Sequence, residues 1–526
     1  MRPVHSSPPI DRELAGSEAG SARAEAADPH TRTCFRLVLI SMGVGVVLRL
    51  VQYFHHTSYW NDEAALVLNI LQRDYRELLR PLDFAQAAPP LFLWVERWVA
   101  LRFGSSEYAL RAFPVLLGLG ALPLFATLAW RLLRPAGAAW AVAWFSVNNR
   151  IVPQVCEVKQ YSDDLFFSTL MFFVAFAPGR QVSALRRLVH VAMVATVAFW
   201  FSFPSVIVFG GITLALLPGA LRGRRGVALS AAALLAPIVS GALLAKLVLG
   251  NPRDPYLDEF WADRFVNFAR PARWFAHAFF ELGDYPFASA GVVVLLLAIV
   301  GLFALRAQGQ RKFVGAVLGV VVLAIVASAL RVYPFGGLRV TLYLLPPLFL
   351  LMGAGAQPWK GVAAGGSAVE RHWLRRAWWI LPAPLLILAV AQCAKHSVDP
   401  EARSNIRPVV QFVREHRQAE EAIYLAGGGV LPQARVSGRN VEFLCYWPLG
   451  EERNIYRQMI PPEQITARRF WVVFSLISTE KLSLRDPLLQ RLKAVADPQT
   501  HFAAGPAEAI LYQLKETATT GPVAPR

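Results

Sequence analysis

Three clusters of charged and aromatic residues stand at the ends of apolar runs. The first is Trp60-Asn61-Asp62-Glu63. The second is Glu157-Val158-Lys159-Gln160-Tyr161, followed by Asp163 and Asp164. The third runs from Arg331 through Tyr333-Pro334-Phe335-Gly336-Gly337 to Arg339. Charge beside hydrocarbon is costly and usually has a task. Carboxylates offer a proton acceptor, and lysine and arginine offer donors to an anion. Each residue also has a plainer explanation. Asp62 suits the cap of a helix beginning at Glu63, Lys159 can snorkel to the interface, and Arg339 can be an ordinary interfacial charge. Tyr59 and Trp60 fit the aromatic belt of a membrane surface. His55 and His56 are adjacent without a clear third ligand, so no metal site is predicted there.

The elements that must position these clusters are membrane helices. With 55% apolar and 17% charged residues and a mean hydropathy of +0.39, the chain is too apolar for a soluble multidomain enzyme. Runs at 35–54, 109–131, 137–153, 163–178, 187–202, 204–220, 227–249, 285–305, 313–330, 338–356 and 377–395 give about eleven spans, several of them shorter than the roughly 20 residues that a crossing takes. The net charge of +17 resides mainly in short Lys and Arg clusters between these runs rather than on one face, which argues against nucleic acid. The clusters alternate in the order that positive-inside orientation demands: Arg32 and Arg36, Arg131 and Arg134, Arg180 to Arg187, Arg222 to Arg225, Arg306 to Lys312, and Lys360 to Arg376. The N-terminus is therefore expected in the cytoplasm and the segment after 395 outside. Phe201 to Ser205 interrupts one long apolar stretch, which can form a helical hairpin or one long tilted helix; the hairpin is expected because Arg187 and Arg222 belong on one side.

Residues 1–33, rich in Ala, Ser, Pro and mixed charge, are expected to be a disordered cytoplasmic tail. Within the outer loop 55–108, Glu63 to Leu79 and Pro90 to Phe103 have the spacing of amphipathic helices at the interface. From 396 to 526 the composition becomes that of a small extramembrane α/β domain. It has a helix near Ile406 to Arg417, strands at Ala422–Ala426 and from Phe470, and a turn at Gly427-Gly428-Gly429 that lacks nucleotide-loop spacing. Of four cysteines, Cys34 and Cys393 fall in or at the ends of apolar runs. Cys156 and Cys445 both fall outside, where spacing alone decides nothing about a bridge. The fold class is thus mainly α, a polytopic transmembrane bundle with a C-terminal α/β domain.

The order of motifs resembles the integral-membrane GT-C glycosyltransferases, in particular family 39 and the group similar to dolichyl-phosphate-mannose and aminoarabinose transferases. The matching residues are Asn61-Asp62-Glu63-Ala64, Ala88-Pro89-Pro90-Leu91-Phe92, Phe103-Gly104 with Glu107-Tyr108-Ala109-Leu110-Arg111, Glu157 with Lys159-Gln160-Tyr161, and Tyr333 to Gly337 with Arg339. The resemblance covers most of 35–395. It implies inverting transfer of a sugar from a polyprenyl-phosphate donor to a glycan, lipid or protein acceptor at the outer face of a membrane, expected to be a bacterial inner membrane. On that footing Asp62 is the candidate base, because an acceptor hydroxyl is a poor nucleophile. Lys159 and Arg339 are candidates for the lipid phosphate, whose charge grows as it leaves. Glu63 and Glu157 are candidates to orient acceptor or cations, and Trp60, Gln160 and Tyr161 to contact substrate. No cofactor is required, although a divalent ion shared by Asp62, Glu157 and phosphate stays open. A transporter or lipid flippase is the alternative; it would favour charges at mid-bilayer and an internal repeat, neither of which stands out.

Overall fold

The computed structural model of the chain describes residues 29–177, 179, 181–249, 255–357, 380, 382–398, 405–426, 446, 465, 467–474, 489–505 and 507–515. Of the tail expected over 1–33, residues 1–28 lie outside them, as do the Gly427-Gly428-Gly429 turn and Cys445, whereas 29–33 belong to the first helix, which begins at Pro29. Cys156 carries a free, buried thiol that donates to the Arg49 carbonyl at 3.5 Å.

The helices are α1 (Pro29–Phe54), α2 (Asn61–Gln72), α3 (Pro90–Phe103), α4 (Glu107–Leu132), α5 (Pro135–Ser146), α6 (Ile151–Gln154), α7 (Tyr161–Phe176), α8 (Ala184–Ala198) and α9 (Ser205–Ala220). They continue with α10 (Gly223–Leu249), α11 (Pro255–Phe260), α12 (Pro271–Asp284), α13 (Gly291–Ala307), α14 (Arg311–Ala329), α15 (Leu345–Gly355), α16 (Ala383–Val398) and α17 (Ile406–His416). Among the described residues four are long and apolar enough to cross a membrane, namely Pro29–Phe54, Glu107–Leu132, Gly223–Val248 and Arg311–Ala329. Shorter apolar helices accompany them at Ser205–Ala220, Gly291–Ala307, Arg339–Gly355 and Ala383–His396. The chain is an integral membrane protein.

Several expected spans are broken, and the breaks have local causes. The run at 137–153 stops at Ser146, where Asn148 Oδ1 accepts the N–H groups of Arg150 and Ile151 at 3.0 and 3.2 Å and starts α6. The stretch around 201–205 divides as expected: Ser202 N–H closes the end of α8 on Ala198 O at 2.8 Å, α9 begins at Ser205, and the two helices pack together. The run at 338–356 opens with a 3-10 turn, Arg339–Leu344, before α15.

In lipid the apolar faces gain little by meeting each other, so close approach depends on small residues. α9 meets α14 at Gly211 and Gly319, and a Cβ on Gly211 would stand 2.4 Å from Val320 N. α13 and α15 meet in the same way at Gly301 and Gly355.

The 55–108 segment differs from expectation in one respect. α3 exposes Trp98, Leu101 and Phe103, as an interfacial helix does, but in α2 every residue from Glu63 to Ile70 is buried. α2 also ends at Gln72 rather than Leu79. It is enclosed because Phe92 and Leu93 of α3, Leu78, Leu110 and Val158 pack around it, which turns an expected surface helix into a core one.

In the C-terminal region, β1 (Ala422–Ala426) and β2 (Arg469–Phe474) are parallel, in register from Ala422 opposite Phe470 to Ala426 opposite Phe474. Two further strands, β3 (Ala496–Ala504) and β4 (Ala507–Leu514), complete a sheet of order β1-β2-β4-β3, with β4 antiparallel to both neighbours. α17 lays Ile406, Val409, Val410 and Val413 against Ile423, Trp471, Val473 and Leu511 of this sheet.

Candidate active site

Asp62 and Glu63 occupy the first turn of α2, where free N–H groups and the helix dipole favour carboxylates. The residue before the helix is Trp60, without a side-chain cap, so Asp62 is not the cap that its position suggested. Adjacent helical residues point about 100° apart, and the two carboxylates meet opposite environments. Glu63 is wholly buried and pairs with both ends of the Arg111 guanidinium, at 2.7 Å to Nε and 2.6 Å to Nη2. It also accepts the Val158 N–H at 2.9 Å. Glu63 therefore fastens the segment that carries Lys159 and does not face the cleft. Asp62 remains 28% exposed.

Three distant segments converge on Asp62. Arg339 Nη2 donates to Asp62 Oδ2, and the same guanidinium lies over the Trp60 ring at 4.8 Å and the Tyr161 ring at 5.9 Å. Lys159 Nζ lies 3.9 Å from Asp62 Oδ2 and donates to Gln86 Oε1 at 2.5 Å. Gln86 Nε2 in turn donates to Asp62 Oδ1 at 3.5 Å. Burial lowers the Lys159 pKa from its ordinary 10.5, and the neighbouring Asp62 charge opposes that shift. Glu157 is buried in the same region, and its charge also favours the Lys159 cation.

The backbone that delivers these groups is tightly specified. Gly337 rests on α12 so closely that a Cβ would fall 2.0 Å from Glu281 O, and Gly336 adopts φ +139°, which an L side chain rarely tolerates. That turn aims Arg339. On the other side Phe84 and Ala85 both hold positive φ, 62° and 53°, and so present Gln86. Residues without glycine keep such angles only where their surroundings hold them.

Of the residues named from sequence, Trp60, Asp62, Lys159, Tyr161 and Arg339 come together. Glu157 lies in the buried layer beside them. Gln160 donates to Ala87 O at 3.2 Å and so braces the loop that carries Gln86. Gln86 itself escaped sequence reasoning, though a polar side chain just before Ala88-Pro89-Pro90 was a usable signal. Also missed was the wall of a cavity of about 460 Å³ beyond Arg339, lined by Gln154, Trp261, Arg264, Tyr285 and Leu338 among others. Gln154 Nε2 donates to the Tyr285 hydroxyl at 2.7 Å, and Arg264 is paired with Glu281. Among the described residues no three His, Cys, Asp or Glu side chains gather as metal ligands.

A carboxylate held between two cations and roofed by aromatic rings can exchange its cations for an incoming anion and then act as a proton acceptor. No protein-family model matches this chain, and no curated protein matches it. Solved structures do. ArnT from Cupriavidus metallidurans, crystallised bound to undecaprenyl phosphate, is 13% identical with a TM-score of 0.51, over 93% of this chain and 99% of that one. The arabinofuranosyltransferase AftD from Mycobacteria, solved by cryo-EM, is 14% identical with a TM-score of 0.52, over 91% of this chain and 40% of that one. At these identities the likeness is one of fold, the fold that this chain shares with ArnT and AftD.

Proposed function

We propose that this protein transfers a sugar from a polyprenyl-phosphate carrier to an acceptor hydroxyl at the outer face of the membrane, with inversion at the anomeric carbon. The observation that carries the reading is the convergence of Arg339, 277 residues away in sequence, and Lys159 on the single carboxylate Asp62 beneath Trp60 and Tyr161. The fold shared with ArnT bound to undecaprenyl phosphate and with an arabinofuranosyltransferase supports it.

In this mechanism the donor phosphate takes Lys159 and Arg339 as its cations and releases Asp62 from their hold. The acceptor oxygen attacks the anomeric carbon while its proton passes to Asp62, and the bond from that carbon to the phosphate oxygen breaks. The lipid phosphate leaves with the electron pair and one more negative charge, which the two cations stabilise in a site of low dielectric. Glu157 keeps Lys159 protonated, and Trp60 and Tyr161 face the sugar. The scheme needs no metal ion, because the positive charge at the phosphate comes from side chains.

The test is a panel of polyprenyl-phosphate sugars, each radiolabelled, offered to membranes containing the protein, with the anomeric configuration of the product read by NMR. Inverted product from one donor is expected. Retained configuration would rule out the one-step displacement, and a chain that moved lipid between leaflets without transferring sugar would overturn the reading.

A further inference from the structure

The loop between α1 and α2, which leads directly into Trp60 and Asp62, is held almost entirely by residues from elsewhere. His56 adopts φ +51°, a strained angle for a residue with a Cβ. Its carbonyl accepts Arg407 Nη2 at 2.8 Å, and the Thr57 carbonyl accepts Arg111 Nη1 at 2.7 Å. Ser58 Oγ accepts the Arg407 N–H at 3.2 Å, and the Tyr59 N–H donates to the Tyr446 hydroxyl at 2.7 Å. Arg407 and Tyr446 belong to the C-terminal region, and both also close on one buried carboxylate: Glu107 Oε1 accepts Arg407 Nη1 at 2.7 Å and the Tyr446 hydroxyl at 2.7 Å. Glu107 Oε2 lies 3.3 Å from His56 Nε2. Arg407 can do this because α17 turns its apolar face to the sheet, which leaves the guanidinium aimed at the loop.

From this geometry we infer that Arg407 and Tyr446 are positioning residues: the C-terminal region clamps loop 55–60 against Glu107 and thereby sets where Asp62 stands. The inference rests on the transferase reading for its effect on rate, but not for its effect on the loop. Arg407 and Tyr446 bond to the loop backbone, Ser58 and Glu107, so the clamp acts on the placement of the base rather than on the donor's cations. A misplacement of about 1 Å is enough to cost a large factor in rate.

The experiment uses the full chain in nanodiscs, comparing wild type with Arg407→Met, Arg407→Lys and Tyr446→Phe. Amide hydrogen exchange over 57–63 is expected to quicken by about ten-fold in Arg407→Met, with exchange in α7 unchanged. In the transfer assay kcat falls by about ten-fold while donor KM stays within about two-fold, and Arg407→Lys, which keeps the pair with Glu107 but not the bond to His56 O, recovers part of the loss. Tyr446→Phe removes one oxygen and shows the same pattern more weakly, which separates the clamp from a folding defect in the arginine variants. Unchanged loop exchange in both Arg407→Met and Tyr446→Phe overturns the inference. So does a mobile loop with kcat at the wild-type value. A protein whose wild type transfers no sugar fails the transferase reading, and the exchange data then decide the clamp alone.

Discussion

Asp62 and Glu63 are neighbours in the sequence, yet Asp62 stays partly exposed between Arg339 and Lys159 while Glu63 is wholly buried against Arg111. The types at 60, 62, 159, 161 and 339 were legible because charge and aromatics at the ends of apolar runs stand out. Gln86 was missed: its place just before Ala88-Pro89-Pro90 marked it, but its reach toward Asp62 depends on the positive φ angles of Phe84 and Ala85, which no local pattern announces. Two predictions belong at this scale. If Lys159 and Arg339 hold the donor phosphate, Lys159→Met and Arg339→Met each raise donor KM by about 10–100-fold, since a hydrogen bond to a charged group contributes about 1.5–3 kcal/mol. Steady-state kinetics with the identified donor checks this. The second concerns pH. Burial sets the Lys159 pKa below 10.5, so its cation is lost as pH rises through that lowered value. Donor KM therefore climbs on the alkaline side in wild type and stays flat over the same range in Lys159→Arg, whose side chain keeps its proton.

Between elements, the Glu63–Arg111 pair joins α2, α4 and the segment before α7, with the Arg111 guanidinium also holding Thr57 and Ser58. Removing the charge at Glu63 leaves Arg111 buried without its counter-ion, which costs about 3–5 kcal/mol. Glu63→Gln is expected to lower the thermal midpoint in detergent and the yield of folded protein together. Asp62→Asn, at a partly exposed site, leaves both near wild type. The same measurement tests the helix contacts: Gly211→Ala pushes a methyl into the Val320 backbone and lowers stability by about 1–3 kcal/mol without changing the ratio of kcat to KM. Apolar run length predicted most helices, and the Phe201–Ser205 division was legible from the charges of Arg187 and Arg222, which belong on one side. The burial of α2 was not, because an amphipathic pattern records one apolar face and says nothing of what later covers the other. β3 escaped because Pro498 and a bulge between Pro498 and Thr500 disrupt its alternation, as is common in an edge strand.

For the molecule as a whole, the membrane bundle carries the groups proposed to react, and the C-terminal region meets it at the loop that leads to Asp62. Hydropathy and the alternation of positive charge pointed to such a bundle, and the order of five short motifs pointed to the fold that the chain shares with ArnT and AftD. The contact of Arg407 and Tyr446 with Glu107 links residues some 300 positions apart, and nothing in either stretch announces the other. The central claim is that Asp62 receives the acceptor's proton while Lys159 and Arg339 keep the donor phosphate. The direct measurement is single-turnover transfer by Asp62→Asn beside wild type, with donor binding measured on the same samples. The account predicts a rate about 10²–10⁴-fold lower with donor affinity retained. Transfer by Asp62→Asn at the wild-type rate would contradict it.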